Sequence, residues 1–377
     1  MRSVEKIPVL ENIPVLVRTA LNVPVANGDV SGSFRLRQAL PTIEYLRKRK
    51  ARVILIGHIG DKGTETLEPV YRAMKAFIPD MQFCPVTIGA AARAAVRSLP
   101  AGGVLMLENL RRDKGEQANS PEFSHALAEL ADVFIEDSFD VSHRPHASVV
   151  GVAALLPSYA GFLVQKEVEE LSKALSPKNP SLAIIGGAKF ATKEPVLKKL
   201  LKSYDRVFVG GALANDFIQA KGLPVGRSLV SGASQKELLD LLATKKFLLP
   251  MDYVVAPAGK DVTHARVAEI NDVATDEAIL DNGPKTIEML ATYTTNAKTI
   301  LWNGPLGNYE QGFVHGTEAL ARIIAASHAR SMVGGGDTVA CIENLHLNED
   351  FSFISTGGGA MLDFLAKGSL PGLDVLR

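Results

Sequence analysis

Short aliphatic runs, each closed by glycine or a polar turn, recur along the whole chain and constrain its fold more than any other feature. In the first half they are Ile13 to Arg18, Arg52 to Ile56, Gly103 to Leu107 and Val133 to Ile135. In the second half they are Leu182 to Ile185, Arg206 to Val209, Leu249 to Val255, Thr299 to Leu301, Met332 to Val333 and Ser352 to Ile354. Runs without polar alternation read as strands buried on both faces of a parallel sheet. Amphipathic stretches such as Leu36 to Lys48 and Pro121 to Ala131 lie between them, which predicts βαβ units.

A chain of 377 residues exceeds one ordinary core, so the grammar predicts an α/β protein of two doubly wound parallel-sheet domains. Gly161 to Leu175 has helical periodicity and ends at the breaker cluster Ser176-Pro177-Lys178-Asn179-Pro180. We therefore expect an N-terminal domain over 1–160, a hinge helix over 161–180 and a C-terminal domain over 181–360.

Lys and Arg number 41 and balance 41 Asp and Glu, so affinity for phosphates must come from local clusters and not from net charge. Nucleic acid is not an expected partner. Cys84 and Cys341 stand alone, outside any metal or redox spacing, which fits a reducing compartment. Met1 to Leu10 carries no signal-like apolar core, and no window reaches the 18 apolar residues of a membrane span. A soluble, cytoplasmic protein with no membrane partner is the expectation.

Four glycine-rich turns follow predicted strands in the second half: Gly186-Gly187-Ala188-Lys189, Gly210-Gly211-Ala212, Gly334-Gly335-Gly336-Asp337-Thr338 and Thr356-Gly357-Gly358-Gly359. One such turn alone serves tight strand-to-helix packing. Four on the ligand-binding edge of an open sheet describe a floor for nucleotide phosphates, with amides at helix starts facing the anion. Lys189 and Lys193 follow the first turn as mobile cations, and Asp337 is suited to hold Mg²⁺. Trp302 to Glu310 is another amide-bearing turn. No GxxxxGK[ST] or protein-kinase fingerprint occurs, which excludes those classes, and the missing GxGxxG weakens a dinucleotide reading.

In the first half, Arg18, Arg35, His58, Arg111 and Arg144 fall at strand ends or in the following loops. Parallel strands gather such residues at one edge, where guanidinium groups suit a small phosphorylated acid. The pair in His143-Arg144-Pro145-His146 has too few imidazoles for a metal site and reads as positioning groups.

These residues resemble the phosphoglycerate kinase family. The resemblance runs through Arg18 to Pro24 (RTALNVP), Gly57 to Gly60 (GHIG), Leu107 to Arg111 (LENLR), His143 to Ser148 (HRPHAS), Gly186 to Lys189 (GGAK), Gly283 to Thr286 (GPKT), Trp302 to Gly307 (WNGPLG), Gly334 to Thr338 (GGGDT), Ser355 to Ala360 (STGGGA) and Leu370 to Gly372 (LPG). It implies two Rossmann-like domains joined by the hinge helix, and a tail, 361–377, packing back on the N-terminal domain. It implies reversible phosphoryl transfer between 1,3-bisphosphoglycerate and ADP, giving 3-phosphoglycerate and ATP, with Mg²⁺, in a monomer.

By the same resemblance, Asn22, His58, Arg111 and Arg144 hold the glycerate and Arg35 stabilises the transferring group, with Lys189, Lys193 and Gly335 also catalytic. Gly187, Lys189, Lys193, Gly211, Asn303, Gly307, Glu310, Gly335 and Thr338 surround ADP or ATP, with Asp337 at the metal. Three positions depart from the family pattern: Ala20 and Thr192 stand where it has Asp, and Asp61 where it has Arg. An uncompensated loss of such a contact costs about 1.5–3 kcal/mol. Two further readings follow: a nucleotide-binding paralogue without acid turnover, and a kinase for a different small carboxylate.

Overall fold

The computed structural model describes residues 1–376, which divide into two compact units: Met1–Glu169 with the segment from Lys367, and Glu170–Ala366. The first boundary falls inside the helix Phe162–Ala174.

The N-terminal unit is built on β1 (Pro14–Thr19), a small hairpin of β2 (Val25–Ala26) and β3 (Asp29–Val30), β4 (Arg52–Ile56), β5 (Gln82–Cys84), β6 (Val104–Leu107), β7 (Val133–Asp137) and β8 (Ser158–Ala160). Its main sheet runs β5-β6-β4-β1-β7-β8, with every pairing parallel. Successive side chains of a strand point to opposite faces, and here both faces are covered. Val15, Val17, Val53, Leu55, Val104, Met106, Val133 and Ile135 enter one core, while Leu16, Ile54, Ile56, Leu105, Leu107 and Phe134 enter the other. That double burial is why these strands read as unbroken apolar runs.

The helix Phe34–Lys48 covers the first face because Leu36, Ala39, Ile43 and Leu46 recur at helical spacing and are all buried. From the far end of the chain, Gly372 N–H donates to the Ser142 carbonyl at 2.8 Å and Arg2 N–H donates to the Leu376 carbonyl at 2.9 Å. The C-terminal segment is thereby tied to the N-terminal unit.

The second unit carries β9 (Ser181–Ile185), β10 (Arg206–Val209), β11 (Phe247–Leu248), β12 (Asp252–Pro257), β13 (Arg266–Glu269), β14 (Glu277–Asn282), β15 (Thr299–Asn303), β16 (Arg330–Gly334) and β17 (Phe353–Ile354). A parallel sheet runs β11-β10-β9-β15-β16-β17. A second sheet, β13-β12-β14, is antiparallel. The expected single strand Leu249 to Val255 is corrected here: β11 ends at Leu248 on the edge of the parallel sheet, and β12 starts at Asp252 in the other sheet. Pro250 has no N–H for a ladder and stands at the break between them.

Among the described residues no helix is long and apolar enough to cross a membrane.

Candidate active site

In the N-terminal unit the register sets the site. Arg18 pairs with Ile56 on one side and Glu136 on the other, so the loops after β1, β4 and β7 leave the sheet at one edge. Arg18 is fully buried there. Its Nε donates to Ser148 Oγ at 2.9 Å, Nη1 donates to the Thr19 carbonyl at 2.9 Å and to Ser138 Oγ at 3.3 Å, and Nη2 meets His58 Nδ1 at 2.9 Å. Buried Glu116 continues the network, accepting from Ser148 Oγ at 2.6 Å and from its amide at 3.0 Å.

A guanidinium has no acceptor, so His58 Nδ1 must be the accepting nitrogen and the ring proton sits on Nε2. Burial pushes the His58 pKa well below the ordinary value, and the charges of Arg18 and Arg111 push it the same way. Burial, with Arg111, Arg18 and Arg144 adding to it, lowers His146 to about 4. Both rings are therefore neutral at physiological pH, and the positive charge of the edge resides on arginine.

Arg111 Nη1 donates to the Gly60 carbonyl at 2.5 Å and to Asp61 Oδ1 at 2.8 Å, while its buried Nε has no partner. The acidic residue at 61 is thus an exposed counter-ion to the very arginine expected to bind substrate. Arg35 Nη1 donates to the Asn22 carbonyl at 2.5 Å, and Asn22 Oδ1 accepts from the Gly60 amide at 3.1 Å, so these residues form one connected cluster. Arg144 is exposed, and its guanidinium makes no hydrogen bond among the described residues. Ala20 is fully buried. The supporting groups Glu116, Ser138 and Ser148 lie far from Arg18 in the sequence, and no local pattern marks Glu116 or Ser138.

In the C-terminal unit the site is made of backbone. Asn303 pairs with Ile185 and with Gly334, which aligns the turns after β9, β15 and β16. Gly186 N–H donates to the Asn303 carbonyl at 2.8 Å, Gly187 N–H to Pro305 at 3.2 Å and Leu213 N–H to Gly187 at 2.7 Å. A Cβ on Gly186 would stand 2.1 Å from the Pro305 carbonyl oxygen, and Gly211 has φ +62°. Only glycine allows this interlocking of turns.

The helices Phe190–Ser203, Ala212–Ala220 and Gly336–Asn344 start directly after these turns, and none has a side-chain cap. The amides of Phe190, Ala212 and Gly336 that open them are available to an anion, while those of Leu213 and Ala214 are given to the Gly187 and Gly211 carbonyls. Beside them lies a cavity of about 320 Å³, and Gly187, Gly211, Gly307, Glu310 and Asp337 of the expected nucleotide set line it. Leu306, from the Trp302–Glu310 turn, lines it too, as do Leu229, Ile279, Leu280 and Asn282, which the sequence reading did not single out. The strand Glu277–Asn282 is not among the runs expected from the sequence, and Gly283 to Thr286 enters that reading only as a motif of the family resemblance.

Lys193, Asn303, Gly335 and Thr338 do not line the cavity. Lys193 Nζ donates to Asn303 Oδ1 at 3.1 Å, and burial lowers its pKa to about 8. Thr338 is buried with Oγ1 unpartnered, and a Cβ on Gly335 would lie 3.4 Å from that oxygen. Lys189 is exposed at the start of its helix, and Thr192 Oγ1 donates to its carbonyl at 2.9 Å. Burial raises the Asp337 pKa, with the Glu310 carboxylate adding to it. Two carboxylates thus share the rim, an oxygen-rich setting that suits a hard divalent cation.

Comparison with known proteins identifies the family. The phosphoglycerate kinase family model matches residues 4–368. The chain is 44% identical to the phosphoglycerate kinase of Moorella thermoacetica, with 97% of each chain covered, and 44% identical to one from Thermus thermophilus, with 96% of each covered. Among solved structures, phosphoglycerate kinase from Coxiella burnetii superposes with a TM-score of 0.81 at 36% identity, covering 99% of this chain and 98% of that one. The Pyrococcus horikoshii enzyme superposes with a TM-score of 0.88 at 30% identity, covering 100% and 98%. The chain belongs to the phosphoglycerate kinase family.

Proposed function

We propose that this protein catalyses the reversible transfer of a phosphoryl group between 1,3-bisphosphoglycerate and ADP, yielding 3-phosphoglycerate and ATP. The observation that carries this reading is the charge arrangement in the N-terminal unit. Neutral His58 is held by buried Arg18 within a field that includes Arg111 and Arg35. Such a cluster favours a small acid bearing both carboxylate and phosphate. Asn22, His58 through Nε2, Arg111 and Arg144 hold the glycerate, and Arg35 neutralises the transferring group.

The nucleotide lies on the glycine turns of the other unit. Gly187, Gly211, Gly307 and Gly335 bring backbone close to it, and Asn303, Glu310 and Thr338 supply polar contacts. Lys189 and Lys193 meet the phosphates; the lowered pKa of Lys193 means that a phosphate partner strengthens its charge. Asp337 is the residue that would hold Mg²⁺. When bound, that ion supplies charge neutralisation at the phosphates. The protein's own residues align the acid and nucleotide, exclude water that would hydrolyse an acyl phosphate, and screen charge without a covalent intermediate.

We further propose a cytoplasmic monomer with no nucleic-acid or membrane partner, a reading supported by balanced charge and by two buried free cysteines.

A coupled assay with ATP, Mg²⁺ and 3-phosphoglycerate tests the activity. The wild type is expected to turn over, and Arg35→Ala to lose about 10²-fold or more in kcat with Mg·ADP affinity unchanged. Absence of wild-type turnover sinks the function, and unchanged turnover in the variant sinks the role of Arg35.

A further inference from the structure

The nucleotide cavity contains a polar group that the phosphate floor does not use. Asn282 closes β14, is 5% exposed and lines the cavity beside Ile279, Leu280 and Leu306. Its amide nitrogen Nδ2 is buried with no partner. A carboxamide donor left unpaired against apolar walls is costly to the folded state unless something that enters the cavity accepts from it. Its neighbour Asp281 is already committed, accepting from the Gly316 amide at 2.9 Å and the Asn282 amide at 2.8 Å. Asp281 anchors the wall, and the Asn282 side chain is left with an unfilled donor.

The chemistry of a ligand for that donor is narrow. It must be flat and largely apolar to fit between aliphatic side chains, and must carry an acceptor on its edge. A purine ring nitrogen has these properties. Phosphates do not, and they are served by the amides at the helix starts.

We propose that Asn282 reads the nucleobase, Nδ2–H donating to a purine ring nitrogen held in this cavity. The proposal rests on the nucleotide-site reading above and adds to it a residue that distinguishes a nucleotide from a bare polyphosphate. Asn282 contributes to base affinity and takes no part in the transfer itself.

The test compares Asn282→Leu, which removes the donor at similar volume, with Asn282→Asp, which replaces it by an acceptor of the same shape. Calorimetry with Mg·ADP is set beside inhibition by magnesium tripolyphosphate, a ligand with no base, and beside KM for 3-phosphoglycerate. Both variants are expected to lose about five- to tenfold in ADP affinity, the effect of one neutral hydrogen bond, with tripolyphosphate inhibition and acid KM within about twofold of wild type. Melting curves confirm folding; if the Leu variant fails to fold, the Asp variant carries the test. ADP affinity within about twofold of wild type in the folded variants overturns the assignment, as does an equal loss for tripolyphosphate, which marks a structural role. A wild type that turns over with unchanged base affinity in the variants removes Asn282 alone. A wild type that binds neither ADP nor tripolyphosphate removes the nucleotide site with it.

Discussion

The two units carry their candidate ligand-binding edges at the carboxyl ends of parallel strands, but they build them from different materials. The N-terminal edge is made of charged side chains held in place by other buried polar groups: Arg18 depends on Ser148 and Ser138, Ser148 on Glu116, and His58 on Arg18. The C-terminal edge is made of main chain, with Gly186 and Gly211 packed closely enough to exclude a Cβ and Gly187 held at φ +98°. A side-chain site therefore fails when a partner is removed. A backbone site fails when an atom is added.

The largest effect expected from that difference is in Arg18→Met. It removes a fully buried cation that serves four acceptors, and breaking a buried charged network costs about 3–5 kcal/mol. Urea denaturation should show the loss, and a change under about 1 kcal/mol would mean that the network adds little to stability.

Next in size is Gly186→Ala, where one methyl meets the Pro305 carbonyl oxygen at 2.1 Å. Mg·ADP affinity should fall by at least about tenfold while 3-phosphoglycerate binding persists, because the strain is confined to the turns. Equal loss of both ligands would contradict the contrast drawn between the edges.

The two edges should also respond to pH with opposite sign. His146 has a folded pKa of about 4 against an ordinary 6.5, so the unfolded chain takes up its proton first as pH falls. Stability from this group is present above 6.5 and is lost between 6.5 and about 4. Asp281, raised by burial to about 6 from 3.8, is protonated first in the folded chain. Its stabilising protonation is complete below 3.8 and is lost as pH rises through about 6. Relative to His146→Asn, the wild type should weaken on acidification. Relative to Asp281→Asn, it should weaken as pH rises from about 4 to about 6. Thermal melts of the three proteins across about pH 4 to 7 check this, and parallel profiles would reject it.

The smallest effect belongs to Asp61→Asn. Its ion pair with Arg111 sits at the surface on the acid side, with Asp61 96% exposed, where solvent screens it. Melting temperature should hold and acid KM should move by less than about threefold. A shift of about tenfold would mean that Asp61 controls Arg111 directly.

Much of the parallel framework was legible in the chain because a strand buried on both faces has nowhere to put a polar residue. The runs ending at Arg18, Ile56, Leu107 and Val209 show it. Leu249 to Val255 misled because an apolar run does not reveal which sheet it joins. Pro250 lies at the break, and the choice between parallel and antiparallel partners is made by distant strands. The glycine turns were legible for a steric reason. The apolar wall of the cavity and Asn282 were not, since the strand Glu277–Asn282 was itself not among the expected runs.

By itself, the sequence determined the alternation of strands and helices, the positions of the glycine turns and the placing of arginines at strand ends. These follow from short-range rules of side-chain direction, backbone sterics and turn chemistry. Tertiary structure alone decided that Arg18 would meet Ser148 across 130 positions and His58 across 40, that Glu116 would lie buried beneath them, and that Asn282 would line a cavity with its buried Nδ2 unpaired. Those contacts join elements separated by whole βαβ units. Their energies depend on burial and partner geometry, which no local window of the chain contains.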